Sequence, residues 1–141
     1  MFRFLTGAAL LIACAALFSC QTYTSGLQQS VARADETSAV MAMNTIATAQ
    51  QAYALSKGGA FGSFAQLCEG GFLDQRFNSS NPQIKDYILS METSESSFSI
   101  KADPTRSGEA AGRHLYMDST GPQIHVNATQ PATADDPTMQ P

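Results

Sequence analysis

The sequence has few charged residues and no excess of positive charge. Lys, Arg, Asp and Glu together make up 14% of the 141 residues, and the formal net charge is −4. Because nucleic-acid binding relies on a basic surface, a chain with a pI near 4.9 predicts no nucleic-acid partner. The length suits one modest domain. Abundant Ser, Thr, Gln and Ala beside so few charges favour a location outside the cytoplasm.

The residues of common catalytic sites are also scarce. The chain has two histidines, no Gly-x-Ser-x-Gly nucleophile motif, no phosphate-binding loop and no pair of catalytic carboxylates. The best cluster of chemically active side chains is His114, Tyr116, Asp118 and His125. A metal ion needs three or four converging ligands, so these residues favour a surface or helix-facing polar patch over a metal site. The sequence therefore predicts no enzyme, no metal, no cofactor and no small-molecule substrate.

The N-terminus has the pattern of a targeting segment. Arg3 precedes an apolar run, residues 4–18, which has signal-peptide length and is too short to span a bilayer comfortably. The run ends in Leu17-Phe18-Ser19-Cys20, which resembles a bacterial lipobox. That resemblance implies that residues 1–19 are removed and that Cys20 carries acyl chains such as palmitate, which anchor the protein to a membrane. An ordinary secretory signal and an uncleaved N-terminal anchor are the alternatives.

Lipidation of Cys20 would determine which cysteines remain available for a disulfide. Cys14 lies inside the predicted signal and Cys20 is the predicted lipidation site, so Cys68 is left alone in the mature chain. Its apolar neighbours are typical of a small core residue. If Cys20 carries no lipid, a disulfide between Cys20 and Cys68 is the alternative.

The most regular pattern predicts a helix over residues 36–56. This stretch has no Gly or Pro, Thr37 or Ser38 is a suitable cap, and Gly58 and Gly59 follow its end. Spacings of three and four residues predict one buried face, made of Val40, Met43, Ile46, Ala47, Gln50, Tyr53 and Ala54. Residues 20–35 form a polar tether that can continue the helix back to Leu27.

A short helix and two hairpins complete the predicted domain. Ser63 caps a helix over residues 64–69, which Gly70 and Gly71 end. Alternating apolar residues then predict four strands. The predicted pairs of the first hairpin, with a turn at Ser94-Glu95, are Met91–Phe98, Leu89–Ile100 and Tyr87–Ala102. Those of the second hairpin, with a turn over residues 119–122, are Met117–Ile124 and Leu115–Val126.

These elements predict an α+β fold, with one long helix packed on a four-stranded antiparallel sheet over residues 36–127. The predicted core between helix and sheet is Ile46, Tyr53, Leu89, Ile100, Leu115 and Ile124. Residues 128–141 read as a flexible tail with nothing to bury. The acidic pairs at 35–36 and 135–136 read as helix-dipole partners and solvated termini.

Four segments, in order and spacing, resemble type IV pilin-like and pseudopilin-like proteins. They are residues 44–50 with Tyr53, residues 64–67 with 71–74, Phe98–Pro104, and residues 112–118 with Gly121 and Ile124. In that family an apolar N-terminal helix with an early Glu holds the subunit in the membrane and packs in the filament core. Here Ile12 stands where that Glu is expected, and polar residues begin at Gln21.

The resemblance implies a non-enzymatic, membrane-tethered protein of the bacterial cell envelope, facing the periplasm or the cell surface. Its expected role is structural or accessory, in a type IV pilus or a type II secretion-like system, whose components would be its partners. A lipoprotein binding module unrelated to filaments is the alternative, and an envelope enzyme has the least support.

Overall fold

The computed structural model describes the backbone of residues 5–108 and 111–140, and the side chains from residue 24 onward within those ranges. The fold is α+β, as predicted, with one long helix and an antiparallel sheet. The elements are helix α1 (Leu5–Ser56), helix α2 (Phe64–Glu69), a 3-10 turn (Gln75–Phe77), and strands β1 (Gln83–Ile84), β2 (Tyr87–Thr93), β3 (Phe98–Pro104), β4 (His114–Asp118) and β5 (Gly121–Asn127). The predicted count of four strands is wrong, because the sheet has five.

Helix α1 begins well before the predicted start at residue 36. It runs through 52 residues, including the whole of the predicted tether at 20–35. No proline interrupts this stretch, and its hydroxyl side chains do not compete for the backbone amides. Thr37 Oγ1 and Ser38 Oγ, the predicted caps, instead donate to the carbonyl oxygens of Arg33 and Ala34 at 2.9 and 3.0 Å.

The end of α1 and its buried face agree with the prediction. The helix ends at Ser56, and Gly58 follows in the left-handed conformation, with φ of 68°. All seven predicted positions are buried or half-buried, and three alanines (Ala39, Ala42 and Ala49) widen the buried face. Small residues there bring the helix axis close to the sheet.

Helix α2 is the predicted short helix with the predicted cap. Ser63 Oγ accepts a hydrogen bond from the Gln66 amide at 3.3 Å, and the Ser63 amide donates to Gln66 Oε1 at 2.9 Å. This capping box directs Phe64, Leu67 and Cys68 into the core.

The sheet is a meander in which each strand pairs with the next in the chain. Strands β2 and β3 pair Leu89 with Ala102 and Met91 with Ile100, so the predicted register was wrong by two residues. The turn is centred on Glu95 and Ser96 because Ser94 and Ser97 hydrogen-bond to each other across it: the Ser94 amide donates to the Ser97 carbonyl at 2.8 Å, and the two hydroxyls lie 2.7 Å apart. A slip of two keeps every side chain on its predicted face.

In the second hairpin, the predicted pairs hold at one end only. Leu115 pairs with Val126 as predicted, but a bulge lies between Tyr116 and Asp118, so Met117 does not pair with Ile124. The loop is two residues long because Asp118 pairs with Gly121. The bulge leaves Met117 and Ile124 buried.

The strand missed by the prediction is β1. It has two residues, too few to show a periodicity, and it pairs with the start of β2. The turn between them places Lys85 at a φ of 54°, a conformation uncommon for residues with a side chain.

The C-terminal segment packs on the domain, so the prediction that it buries nothing is wrong. Thr138 forms a β-bridge with His125, and the Met139 amide donates to the Ile124 carbonyl at 2.7 Å. Ala132 is 1% exposed, and Met139 packs against the core. The segment therefore covers the edge of β5, which would otherwise present unpaired backbone groups.

The core lies between α1 and the inner face of the sheet. The predicted core residues are buried, except that Tyr53 is half-buried at the margin, edge-on to Phe72. Within the described side chains, no helix offers an apolar stretch long enough to cross a membrane.

Candidate functional site

The outer face of the sheet carries the polar side chains that the sequence singled out. The pairing places them in rows that cross the strands. One row is Glu92, Ser99 and Asp118; the next is Ser90, Lys101, Tyr116 and His125. None of these side chains is fully buried. The four predicted residues therefore share one face, as expected.

The two histidines have separate partners. Nδ1 of His114 shares a hydrogen bond of 2.5 Å with Oδ1 of Asp103 on β3. Nδ1 of His125 lies 2.6 Å from the Asp136 carbonyl oxygen, in the C-terminal segment. Among the described residues, no group of three or more His, Cys, Asp and Glu is arranged to hold a metal ion. Both imidazoles serve to fix neighbouring segments.

Asp118 is the centre of a local network. Its Oδ1 accepts from the Thr120 amide at 2.8 Å and from the Thr120 hydroxyl at 2.5 Å, and its Oδ2 accepts from the Tyr116 hydroxyl at 3.1 Å. Burial raises the pKa of Asp118, but the hydrogen bonds from Thr120 and Tyr116 outweigh burial and lower it. Burial and the bond to Asp118 raise the pKa of Tyr116. The carboxylate is therefore held ionised and in a fixed orientation.

A cleft opens beside this network, between the β2–β3 turn and the β4–β5 turn. Its volume is about 340 Å³, and of its ten lining residues seven carry a hydroxyl and two carry a carboxylate. We call it the hydroxyl cleft; Glu92, Ser94, Ser99, Tyr116, Asp118 and Thr120 characterise it. The carboxylate of Glu92 makes no hydrogen bond or ion pair with any described residue, and it is exposed to solvent.

The sequence pointed to Tyr116 and Asp118 but not to the rest of the cleft. Glu92 and Ser99 come from a different hairpin, and the serines of the β2–β3 turn read simply as turn residues. The available signal was the alternation of apolar and polar residues, which puts Glu92 and Ser99 at outward positions of predicted strands. A correct register was needed to bring them beside Asp118.

A second polar cluster fixes α1 to the sheet, and the sequence did not predict it. Glu36 Oε1 accepts from Arg113 Nη2 at 2.6 Å, and the Arg113 amide donates to Glu36 Oε2 at 3.2 Å. Hydrogen bonding to Glu36 raises the pKa of Arg113. The hydroxyl of Tyr87 donates to the Arg113 carbonyl at 2.9 Å. Burial raises the pKa of Tyr87 well above the usual range of a tyrosine. Glu36 is thus an ion-pair partner and not a free helix-dipole residue.

Asp136 is also not the solvated residue that the sequence suggested. One carboxylate oxygen accepts from the Thr133 amide at 2.7 Å, and the other accepts from Asn127 Nδ2 at 2.8 Å. The backbone bond from Thr133 and the side-chain bond from Asn127 lower the pKa of Asp136. It closes the turn that returns the C-terminal segment to β5.

The cysteines divide between the core and the part of the chain outside the described side chains. Cys68 is a free, buried thiol, whose Sγ contacts the Asp74 carbonyl at 3.3 Å, and burial raises its pKa. An inert core thiol is what the sequence predicted. Residues 1–4, the other side chains of the predicted signal peptide and the side chain of the lipidation site, Cys20, lie outside the described part of the structure.

Comparison with known proteins assigns no family to this chain. No protein-family model, no curated protein and no solved structure matches it.

Proposed function

We propose that this chain is a non-enzymatic, membrane-tethered, pilin-like protein of the bacterial cell envelope. It would act as a structural or accessory component of a type IV pilus or a type II secretion-like system. One observation carries the proposal, the division of α1 into two parts. Residues 39–53 bury one face on an antiparallel meander, whereas every residue from 24 to 31 is exposed. An N-terminal helix that packs on the domain at one end and projects from it at the other supports a role in tethering the domain to a membrane.

The proposed anchor is a lipid on Cys20. Acyl chains on that thiol would hold the protein firmly, because each buried methylene contributes about 0.8 kcal/mol. At a rise of about 1.5 Å per residue, the helix from Cys20 to Ala39 would separate the lipid from the packed domain by about 28 Å. The continuous α1 makes that separation a stiff one along the whole of the predicted polar tether.

A Cys20→Ser variant tests the anchor. We expect it to lose metabolic fatty-acid label and to leave the membrane fraction. Cys14→Ser is the matched control, since that residue would be removed with the signal, and it should keep both properties. Label or membrane binding retained by Cys20→Ser would refute lipidation, and membrane binding without label would favour an uncleaved apolar anchor.

The exposed part of α1 also bears on filament formation. Its residues include Gln28, Gln29 and Ser30, whose polar groups would lose water in a filament core at several kcal/mol each unless partners were found. We expect the mature protein to stay a tethered monomer or a transient partner. Electron microscopy of shear fractions from overexpressing cells is the measurement. Filaments built mainly from this chain would contradict the expectation.

A lipoprotein binding module is the second candidate function. The hydroxyl cleft favours it, because seven hydroxyl-bearing and two carboxylate-bearing side chains line one cleft of about 340 Å³. Affinity purification separates the two candidates: pilus or secretion components that co-purify with the chain support the first, and their absence under conditions that retain ligand supports the second.

A further inference from the structure

We propose that the hydroxyl cleft binds a saccharide that is uncharged or carries an amino group. The inference goes beyond the tethered role and holds whether or not Cys20 is lipidated. It rests on the cleft's volume, on the chemistry of its lining and on the fixed orientation of the side chains.

The lining matches the hydrogen-bonding chemistry of sugars. A sugar hydroxyl donates and accepts at once, so it pairs well with carboxylates, which only accept, and with protein hydroxyls, which do both. Glu92 and Asp118 supply the carboxylates on either side of Ser99, on three adjacent strands. The ring of Tyr116 adds an aromatic surface of the kind that packs on the C–H face of a sugar ring.

Several groups in the cleft are held in place before any ligand arrives. Asp118 is fixed by Thr120 and Tyr116, and the hydroxyls of Ser94 and Ser97 lie 2.7 Å apart. The Tyr116 ring meets His125 edge-on, with centroids 6.1 Å apart. Preorganised groups lower the entropic cost of binding. Glu92 is the exception, since it is unpaired within the described residues and available to a ligand.

Size and charge narrow the ligand class. A volume of about 340 Å³ lies at the lower end of the range of about 300–1,000 Å³ seen for small-molecule sites, which suits a mono- or disaccharide. Among the described lining residues there are two carboxylates and no cation, so the cleft disfavours acidic sugars and phosphates and favours an amino group. A metal is a poor match, because Asp118 already accepts three hydrogen bonds and the described lining has one other carboxylate, that of Glu92.

The test is a titration of the purified full chain, in a detergent without a sugar headgroup, followed by amide NMR. The probes are disaccharides of N-acetylglucosamine, glucosamine and galacturonic acid, which are uncharged, cationic and anionic. We expect saturable shifts at the amides of Ser99, Tyr116 and Thr120 with the first two probes and none with the third. The cationic probe should bind more tightly.

A matched pair of variants locates the ligand. Glu92→Gln removes the charge from a residue with no described partner, and it should weaken binding of the glucosamine disaccharide about tenfold or more, the range for a hydrogen bond to a charged group. Glu95→Gln removes a charge from the adjacent β2–β3 turn, outside the cleft, and should leave affinity unchanged. Three results would overturn the proposal: no shifts with either non-acidic probe, equal binding of galacturonate, or equal loss in the two variants. Membrane fractionation is a separate readout, so failure of the tether and failure of the cleft are distinguishable.

Discussion

Gln50 should contribute more to the free energy of unfolding than any other described polar residue of α1. It is fully buried, and its amide binds both backbone groups of one residue: Nε2 donates to the Gly62 carbonyl at 2.6 Å, and Oε1 accepts from the Gly62 amide at 3.0 Å. Gln50→Leu keeps the size and removes both bonds. Each buried group of Gly62 left without a partner costs about 1–3 kcal/mol. Burial of the leucine offsets about 2 kcal/mol of that combined cost of about 2–6 kcal/mol, so we expect a net loss near the middle of the remaining range, about 2 kcal/mol.

The neighbouring Gln51 supplies the control. It lies on the same helix and is exposed, so Gln51→Leu should change the free energy of unfolding by less than about 0.5 kcal/mol. Urea unfolding, followed by circular dichroism, measures both variants. A loss of about 2 kcal/mol corresponds to a fall of roughly 8 °C or more in Tm for a domain of this size. Equal effects from the two variants would refute the assignment of the Gln50–Gly62 bonds as the link between α1 and the following loop.

Three further predictions concern the core, the ion pair and pH. Ile100→Ala should lower the free energy of unfolding by roughly 2–5 kcal/mol, because the side chain is fully buried, and His114→Ala should lower it much less. Equal losses in urea unfolding would mean that the sheet faces are wrongly assigned. Arg113→Met should cost about 1 kcal/mol, since the Arg113 side chain is 44% exposed, and the loss should shrink at high salt. A loss unaffected by salt would contradict an ionic origin. Because the pKa of Asp118 is lowered from 3.8, the ionised carboxylate stabilises the fold fully above pH 3.8, and this stabilisation is lost as the pH falls further. The urea midpoints of the wild type and of Asp118→Asn should therefore converge at low pH. A difference between the two midpoints that stays constant with pH would contradict the lowered pKa.

Burial made the inner faces of the elements predictable. An apolar residue every three or four positions of a helix, or every second position of a strand, has to lie on one side, and that side has to be covered. Gln50 fell on the predicted helix face by spacing alone. Its partner, Gly62, lies twelve residues away in a loop, and no local pattern could indicate it. The ion pair of Glu36 with Arg113 spans 77 residues and was missed for the same reason.

Composition misled the prediction at both ends of the domain. Residues 20–35 are polar, and polarity suggested a tether. A helix can nevertheless propagate from a packed continuation through a polar stretch that has no proline, even across Gly26. Residues 128–140 looked unable to bury anything. Met139 and Ala132 are single apolar residues, too few to form a pattern, but backbone bonds to the β5 edge are enough to place them.

The hydroxyl cleft depends on two structural details that the pattern of apolar and polar residues does not determine. In the predicted register of the first hairpin, Glu92 would face Ser97; the observed slip of two places it opposite Ser99, and so in one row with Asp118. The second detail is the two-residue loop of the second hairpin, which lets the Thr120 amide reach the Asp118 carboxylate. The slip changes no inner-face burial, since its parity is even. Burial in the hydrophobic core is therefore the same in both registers. The turn in which Ser94 and Ser97 hydrogen-bond to each other sets the register. That register determines which polar groups lie together on the outer face, where the proposed ligand would bind.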